Sequence, residues 1–332
     1  MESHTGMRGQ PDERDVQSLL SFGVVNLDKP PGPSAHQVTG WVRDAVNDAL
    51  AGGVGSDAAE TDGSERSPQI SGAAHAGTLD PKVTGCLPIL LGEATRLAQV
   101  FLEGTKEYVA VLELHGPAPS DLETIVGEFE GNLYQKPPRK SAVSRRLRTR
   151  EIYELDVLEV TNRQALLRIR CESGTYIRKL CHDIGLALGT GAHMGHLRRT
   201  ATDPFDDRTL VTMEELVDAL AWATEGDDSS LREVVAPAER ALQHLPRVTI
   251  APSAAEQVAH GAPVYAPGVI AAESAPAAAT DESEDGRETR ALTEGGIVAC
   301  YTPDGAAVCL GTLVGDPDAD TGTVVELERV LV

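Results

Sequence analysis

His75-Ala76-Gly77-Thr78-Leu79-Asp80-Pro81-Lys82-Val83-Thr84-Gly85 places a single carboxylate, Asp80, between a glycine-bearing turn and a proline. Two readings of this run compete. Proline is favoured at the first helical position and Asp is a good N-cap, so Asp80 can be a cap that accepts backbone N–H bonds and does nothing else. Alternatively, the flanking turn and proline hold a rigid, exposed acid. The residues that weigh between these readings lie elsewhere in the chain.

Upstream, Phe22-Gly23-Val24-Val25-Asn26-Leu27-Asp28 reads as a short strand that runs into the rigid turn Lys29-Pro30-Pro31-Gly32-Pro33. A helix pattern starts at Ser34, with Val38, Trp41, Val42, Ala45 and Val46 on one face. Residues 51–72 have no periodicity and read as a disordered surface insertion. Downstream, Tyr108, Ala110, Leu112 and Leu114 alternate as in a half-buried strand. Leu167, Ile169 and Cys171 alternate with Arg168 and Arg170, and a turn at Ser173-Gly174 leads to Thr175 as an expected N-cap. The helix after it carries the apolar stripe Ile177, Leu180, Cys181, Ile184 and Leu188. Beyond Leu245-Pro246 the chain becomes rich in Val, Ala and Gly, with strand-like runs at 247–251, 296–302, 306–314 and 323–331, as in a small β-barrel. The expected organisation is a flexible arm over 1–20, a mixed α/β domain over 21–246 and a β-domain over 247–332 with a disordered acidic loop at 271–290. There is no internal repeat.

The 332 residues carry 29 Lys plus Arg against 51 Asp plus Glu, a formal net charge of -22. At face value such a surface repels nucleic acid, but scarce lysine and dispersed acids also suit a salt-rich cytoplasm, where charges are screened. Against this background Lys136, Arg139, Lys140, Arg145, Arg146, Arg148 and Arg150 form a stretch without acids, continued by Arg163, Arg168, Arg170, Arg178, Lys179, Arg198 and Arg199. A basic island in an acidic chain is a candidate phosphate-binding face, although a solvated charge run has the same composition. Five cysteines without a Cys-x-x-Cys pair read as reduced, mostly buried thiols. The polar N-terminus and the lack of a long apolar run give the expectation of a cytoplasmic protein that does not span a membrane.

Arg178 falls in the first turn of its helix, where a cation opposes the helix dipole. A carboxylate partner would account for it, and Asp80 is the obvious candidate; an ordinary surface arginine is the plainer alternative. Tyr108 and Tyr176 stand out in a chain with only 4% aromatic residues: either could stack on a base, though spacing alone favours packing. Cys181, His182, His193 and His196 superficially resemble zinc ligands, but Cys181 belongs to the apolar stripe and His182 points away from it, so no metal is expected. Neither a P-loop lysine motif nor a dinucleotide glycine fingerprint is present, and no cofactor is expected.

The segments 26–36 (Asn-Leu-Asp-Lys-Pro-Pro-Gly-Pro-Ser-Ala-His), 75–85, Lys106-Glu107-Tyr108 and 172–180 (Glu-Ser-Gly-Thr-Tyr-Ile-Arg-Lys-Leu) resemble, in this order, the motifs of the TruB/dyskerin family of RNA pseudouridine synthases. The resemblance covers about 20–206, broken by 51–72; the tail from 247 is more loosely similar to a PUA RNA-binding domain. Residues 134–143, Arg145-Arg146-Leu147-Arg148, Ile152-Tyr153-Glu154 and Gly195-His196-Leu197-Arg198-Arg199-Thr200 look like the archaeal and eukaryotic branch that is the catalytic subunit of H/ACA guide-RNA particles.

The resemblance implies a mixed α/β catalytic domain around a bent sheet, with RNA in a cleft beside Asp80. It implies that Asp80 is the catalytic carboxylate, that Tyr108 stacks on the flipped uracil, that Arg178 pairs with Asp80, that Leu180 packs beneath the base, that Tyr176 supports the pocket and that His75 contacts RNA nearby. Lys136, Arg139, Lys140, Arg145, Arg146 and Arg148 are the candidate RNA contacts. It further implies guide and substrate RNA, small accessory proteins and a kink-turn-binding protein as partners. The activity expected is isomerisation of uridine in rRNA and tRNA in a salt-adapted archaeon, with a stand-alone tRNA pseudouridine synthase and a non-catalytic RNA-binding scaffold as alternatives. The base must leave the RNA stack for this chemistry, so a stacking ring and an apolar pocket are required.

Overall fold

The computed structural model describes residues 7–55, 69–102, 104–136, 146–275 and 291–332. In chain order the first part comprises α1 (Val16–Ser21), β1 (Gly23–Lys29), α2 (Ala35–Ala51), β2 (Ala73–His75), β3 (Thr84–Leu91), β4 (Lys106–Leu114), α3 (Leu122–Gly127), β5 (Gly131–Gln135), β6 (Arg148–Val160), β7 (Gln164–Cys171), α4 (Ile177–Ala187), β8 (Ala192–Thr202), β9 (Phe205–Asp206), α5 (Met213–Thr224), α6 (Ser229–Val234) and β10 (Ala236–Pro237). The second part comprises β11 (Arg247–Ile250), α7 (Pro252–Ala259), β12 (Val264–Tyr265), β13 (Val269–Glu273), β14 (Ile297–Tyr301), β15 (Ala307–Leu313) and β16 (Thr323–Val330).

Strands β1 to β10 form one sheet in the order β10-β1-β3-β8-β4-β7-β6-β5, with β2 added on β3 and β9 on β8. Every pairing is antiparallel except β3 with β8, where only Thr84↔Arg198 and Gly85↔Arg199 are in register. This two-residue parallel seam joins two antiparallel halves. Gly85 (φ +96°) makes the close approach possible, since a Cβ there would lie 2.2 Å from the Arg199 carbonyl oxygen. Each half has its own helical cover. α1, α2, α5 and α6 bury Val38, Val42, Val46, Leu216 and Leu220 against β1 and β3, whereas α3 and α4 bury Leu122, Leu180, Cys181 and Ile184 against β4, β6 and β7. Tyr108 and Leu197 touch both cores, and a cleft opens above them between the two sets of helices.

Local chemistry accounts for the element ends. Ser34 and Gln37 form a reciprocal capping box at α2, and Thr212 and Glu215 form another at α5. The stripe expected on α4 is buried throughout, and Val38, Val42 and Val46 of α2 are fully buried. Trp41 is not: it lies 49% exposed beside that stripe, because the α2 contact with the sheet is narrower than the run of apolar types suggests. Thr175 does not cap α4. Its hydroxyl donates to the Glu172 carbonyl and Tyr176 occupies the cap position.

Strands β11 to β16 form a second, six-stranded sheet in the order β12-β16-β15-β14-β11-β13, with α7 alongside. Its own core is built from small side chains such as Val248, Val258, Val298, Cys300 and Val308. A further cluster joins the two parts: Phe22, Val24, Leu90, Leu97 and Phe101 meet Leu242, Tyr301, Ala307, Leu310 and Leu331. All five cysteines are buried free thiols, and burial pushes Cys86, Cys171 and Cys181 up to about 12.

The segment expected as a flexible arm is packed over much of its length. Val16, Leu19 and Leu20 are buried, and Arg14, 4% exposed, forms a two-pronged ion pair with Glu239. Flanks of the two expected insertions are ordered too. Ala51 ends α2, Val54 and Ile70 are buried, and 271–273 belong to β13; 56–68 and 276–290 lie outside the described residues.

Candidate active site

Asp80 stands on the loop between β2 and β3, and no helix begins at Pro81, so the helix-cap reading fails. The loop is a turn closed by Val83 N–H donating to the Asp80 carbonyl, 3.0 Å. It is anchored from below by Lys29. That ammonium is fully buried and donates to the carbonyls of Pro30 (2.9 Å), Pro81 (3.1 Å) and Val83 (2.8 Å). Gly32 N–H also donates to Pro81 O, 2.8 Å. The proline-rich turn and the Asp80 loop are therefore one hydrogen-bonded unit. Burial lowers the Lys29 pKa, an effect opposed by nearby Asp80.

Across the cleft, Arg178 in the first turn of α4 donates from Nη2 to Asp80 Oδ2. Both side chains remain about half exposed, so the pair orients the carboxylate within an open cleft. The start of α4 is held in turn by Gln135 at the end of β5: Tyr176 N–H donates to Gln135 Oε1, 2.9 Å, and Gln135 Nε2 donates to Tyr176 O, 3.4 Å. Leu180 lies one turn further along, fully buried.

Tyr108 of β4 pairs in register with Arg199 of β8. Burial raises the Tyr108 pKa, and the positive charge of nearby Arg199 works against the rise. Arg199 is itself 1% exposed, with Nε donating to Cys86 O (2.7 Å) and Nη2 to Gly77 O (3.2 Å). One guanidinium thus ties β3 to the turn before Asp80. Gly77 (φ +108°) admits it, since a Cβ there would lie 3.2 Å from Arg199 Nη1. Lys106 lies nearby under the floor, donates to Phe101 O and Gly104 O, and is lowered to about 8, mainly by burial.

The structure brings Asp80 and Arg178 together, whereas Tyr108 is packed between the two cores next to Arg199 and Leu180 is buried in the core under α4. His75 lies on β2 at the side. The basic island is divided. Arg168 pairs with Asp156, Arg170 with Glu154, Arg150 with Glu172, and Arg198 in two-pronged fashion with Asp28, so these cations serve the sheet and not a phosphate face. Lys136, Arg146 and Arg148 remain at the β5–β6 end of the sheet, whereas Arg139, Lys140 and Arg145 lie outside the described residues. Cys181 points into the core while His182 and His193 line the surface; among the described residues no three His, Cys, Asp or Glu side chains are placed to hold a metal ion. Lys29, Gln135 and the buried role of Arg199 escape a reading of the sequence. The prolines beside Lys29 are the only local signal that its loop is held rigid.

Lys29→Met removes the donor to three carbonyls, that of Val83 buried, and frees the Asp80 loop. Because a misplacement of about 1 Å costs on the order of 10²-fold in rate, single-turnover kinetics should fall by that factor while RNA affinity holds. His75 carries a pH effect. Burial, then Arg199, lowers its pKa, so below its ordinary value the unfolded chain binds a proton that the folded chain resists. This contribution is complete above pH about 6.5 and is lost as pH falls towards the depressed folded value. Melting temperatures between pH 7.5 and pH 5.5, both set by the buffer, should drop less steeply for His75→Gln; equal slopes would count against it.

The site shown is a half-exposed carboxylate steered by a guanidinium, on a loop held by buried Lys29 and Arg199. Residues 66–121 and 115–177 match the TruB family pseudouridylate synthase N-terminal domain, residues 178–243 the tRNA pseudouridylate synthase B C-terminal domain and residues 2–39 the DKCLD domain. A probable tRNA pseudouridine synthase B of Haloarcula marismortui is 63% identical over 326 residues, 98% of this chain and 94% of that protein. The protein of the same description from Pyrococcus furiosus is 45% identical over 262 residues, 78% and 71% of the two chains. A solved Cbf5-Nop10-Gar1 complex contains a chain that superimposes with a TM-score of 0.82 at 38% identity, covering 100% of this chain and 91% of that one. An H/ACA RNP bound to a substrate RNA containing 2'-deoxyuridine gives 0.81 at 37%, covering 100% and 92%. The chain belongs to the TruB/Cbf5 family of pseudouridine synthases.

Proposed function

We propose that this enzyme isomerises uridines in rRNA and tRNA as the catalytic subunit of an H/ACA-type guide-RNA particle, with Asp80 as its catalytic carboxylate. The observation that carries the assignment is the meeting of Asp80 and Arg178, 98 residues apart in sequence. Isomerisation breaks the N1–C1′ bond, turns the base and joins C5 to C1′; C5 gives up its proton and N1 gains one. No electrons enter or leave. Asp80 serves the sugar side of this exchange, Tyr108 stacks on the uracil, Leu180 packs beneath it, Tyr176 supports the wall, and His75 meets RNA beside the flipped nucleotide. Lys136, Arg146 and Arg148 contact RNA at the β5–β6 end, together with Arg139, Lys140 and Arg145 from the basic island.

The guide-dependent reading draws support from likeness over the whole chain to proteins solved with Nop10, Gar1 and substrate RNA. Guide RNA, accessory proteins of those kinds and a kink-turn-binding protein are therefore the partners assigned, with the C-terminal β-domain acting as a PUA-type RNA-binding unit. No helix among the described residues is long and apolar enough to cross a membrane, and we place the particle in the cytoplasm. The names of the sequence relatives favour a second reading, a tRNA enzyme that acts alone. Pseudouridine formation releases the hydrogen on C5, so tritium release from RNA labelled at C5 of uridine reads turnover directly. The guide-dependent reading expects release on rRNA targets only with guide RNA and accessory proteins present. Full turnover on all targets by the lone chain would overturn it.

A further inference from the structure

A trough leaves the catalytic cleft along the far end of β8. β3 covers β8 only at Arg198 and Arg199, so among the described residues the stretch from Ala192 to Leu197 has no strand on that side. α4 forms the wall there, and Gly185 allows it to approach so closely that a Cβ would lie 2.1 Å from Ala192 N. Between them is a cavity of about 450 Å³ lined by Arg178, Lys179, His182, His193 and Met194. His193 also lines a second cavity, about 570 Å³, with His115, Asn162, Arg163 and Gln164. The two cavities share His193, and between them they reach from Arg178, the partner of Asp80, to the β6–β7 turn.

The lining is rich in nitrogen donors for so acidic a chain. Arg178, Lys179 and Arg163 bring cationic heads, and His182, His193 and His115 bring ring nitrogens, all from exposed or half-exposed positions. Two acids lie along this lining: Glu113 accepts from Gln164 Nε2 at 2.9 Å, and Asp183 is ion-paired with Lys179. His115 Nε2 and His193 Nδ1 share a hydrogen bond of 3.0 Å, which sets the His193 ring and leaves its Nε2 for a ligand. Arg163 Nη2 donates to His115 O at 2.7 Å, which fixes the guanidinium while leaving it further donors. Spaced donors along an open path suit a chain of phosphates, and a chain that runs into Arg178 is continuous with the substrate.

We propose that this trough holds the RNA backbone on one side of the target uridine, with His182, His193 and Arg163 donating to successive phosphates. The assignment rests on the reading of the Asp80 cleft as the catalytic site. Its test uses the full chain assembled with guide RNA and accessory proteins. Arg163→Glu, and separately His115→Ala combined with His193→Ala, should weaken substrate RNA binding about fivefold or more. The slope of log affinity against log salt should fall by about 0.7 to 0.9 for each phosphate that the variant no longer binds. Turnover at saturating RNA should be unchanged.

Four-thiouridine placed one to four nucleotides from the target should crosslink to 161–164 or 191–197 from one side only. Unchanged affinity and salt slope in variants that melt like the parent would overturn the proposal, as would crosslinks from neither side. Loss of an accessory protein with RNA affinity of the lone chain intact would assign the trough to a protein and also overturn it. If Asp80→Asn keeps its turnover while the trough variants bind weakly, the catalytic reading falls and the trough stands as an RNA site.

Discussion

Asp80→Asn should abolish tritium release from C5-labelled uridine RNA, with a loss on the order of 10⁴-fold, the upper range for a positioned acid–base group. The amide has nearly the same shape as the carboxylate and still offers an oxygen to Arg178, so the contact between the loop and α4 survives. The loop does not rely on the Asp80 side chain to stay in place, since Lys29 and Gly32 bind its backbone carbonyls. What the variant lacks is the negative charge beside the sugar. RNA affinity should therefore stay within about twofold or rise slightly, because a charge that repels phosphate has been removed. Filter binding and single-turnover release on the same preparation separate the two quantities. Activity within tenfold of the parent would remove Asp80 from the chemistry.

The largest expected stability effect is at Glu239. Its Oε2 receives Arg14 Nη1 at 2.9 Å, and its Oε1 receives Arg14 Nη2 at 2.6 Å and the Ala307 N–H at 3.1 Å. The two side chains are 2% and 10% exposed. One carboxylate thus holds the N-terminal segment, the 238–242 turn and strand β15 of the second sheet. Removing one member of a buried ion pair leaves the other charge in a poor dielectric, at a cost of about 3–5 kcal/mol. Glu239→Ala strands the guanidinium and also orphans the Ala307 N–H, so it should lie at the upper end of that range. Glu239→Gln keeps one oxygen that can accept from Arg14 Nη2 and the Ala307 N–H, while its NH2 faces Arg14 Nη1, and should cost less than alanine. Denaturant unfolding at fixed high salt checks the order. Because the pair is buried, the difference should persist where surface ion pairs are screened. An alanine variant within 1 kcal/mol of the parent, a small fraction of typical stability, would show that the contact does not join the parts.

Patterns with a fixed period are legible in the sequence. The α4 stripe from Ile177 to Leu188 and the alternation in β4 and β7 read correctly, because one buried face imposes a repeat on neighbouring residues. The last strands of the C-terminal sheet fall within about a residue of their expected ends for the same reason, helped by Pro-Asp-Gly and Gly-Asp-Pro turns. Trp41 misleads because residue type says apolar, while exposure depends on which neighbour arrives. The Asp80–Arg178 pair is half legible: Arg178 is out of place at a helix start, but its partner is nearly a hundred residues away.

The chain by itself determined the alternating and helical segments, the turn chemistry around Asp80 and the ordered motifs that mark its family, since all of these are written in short-range spacing. Only the tertiary structure decided what the cations do. Arg199 and Lys29 look like members of a basic population, yet both are buried beneath the Asp80 loop and held by carbonyls that come from distant segments. Arg14 looks like part of a loose arm and is instead locked to Glu239. A charge can be buried only where donors and acceptors from several parts of the chain converge on it. That convergence belongs to the folded chain and has no signature in any one stretch of sequence.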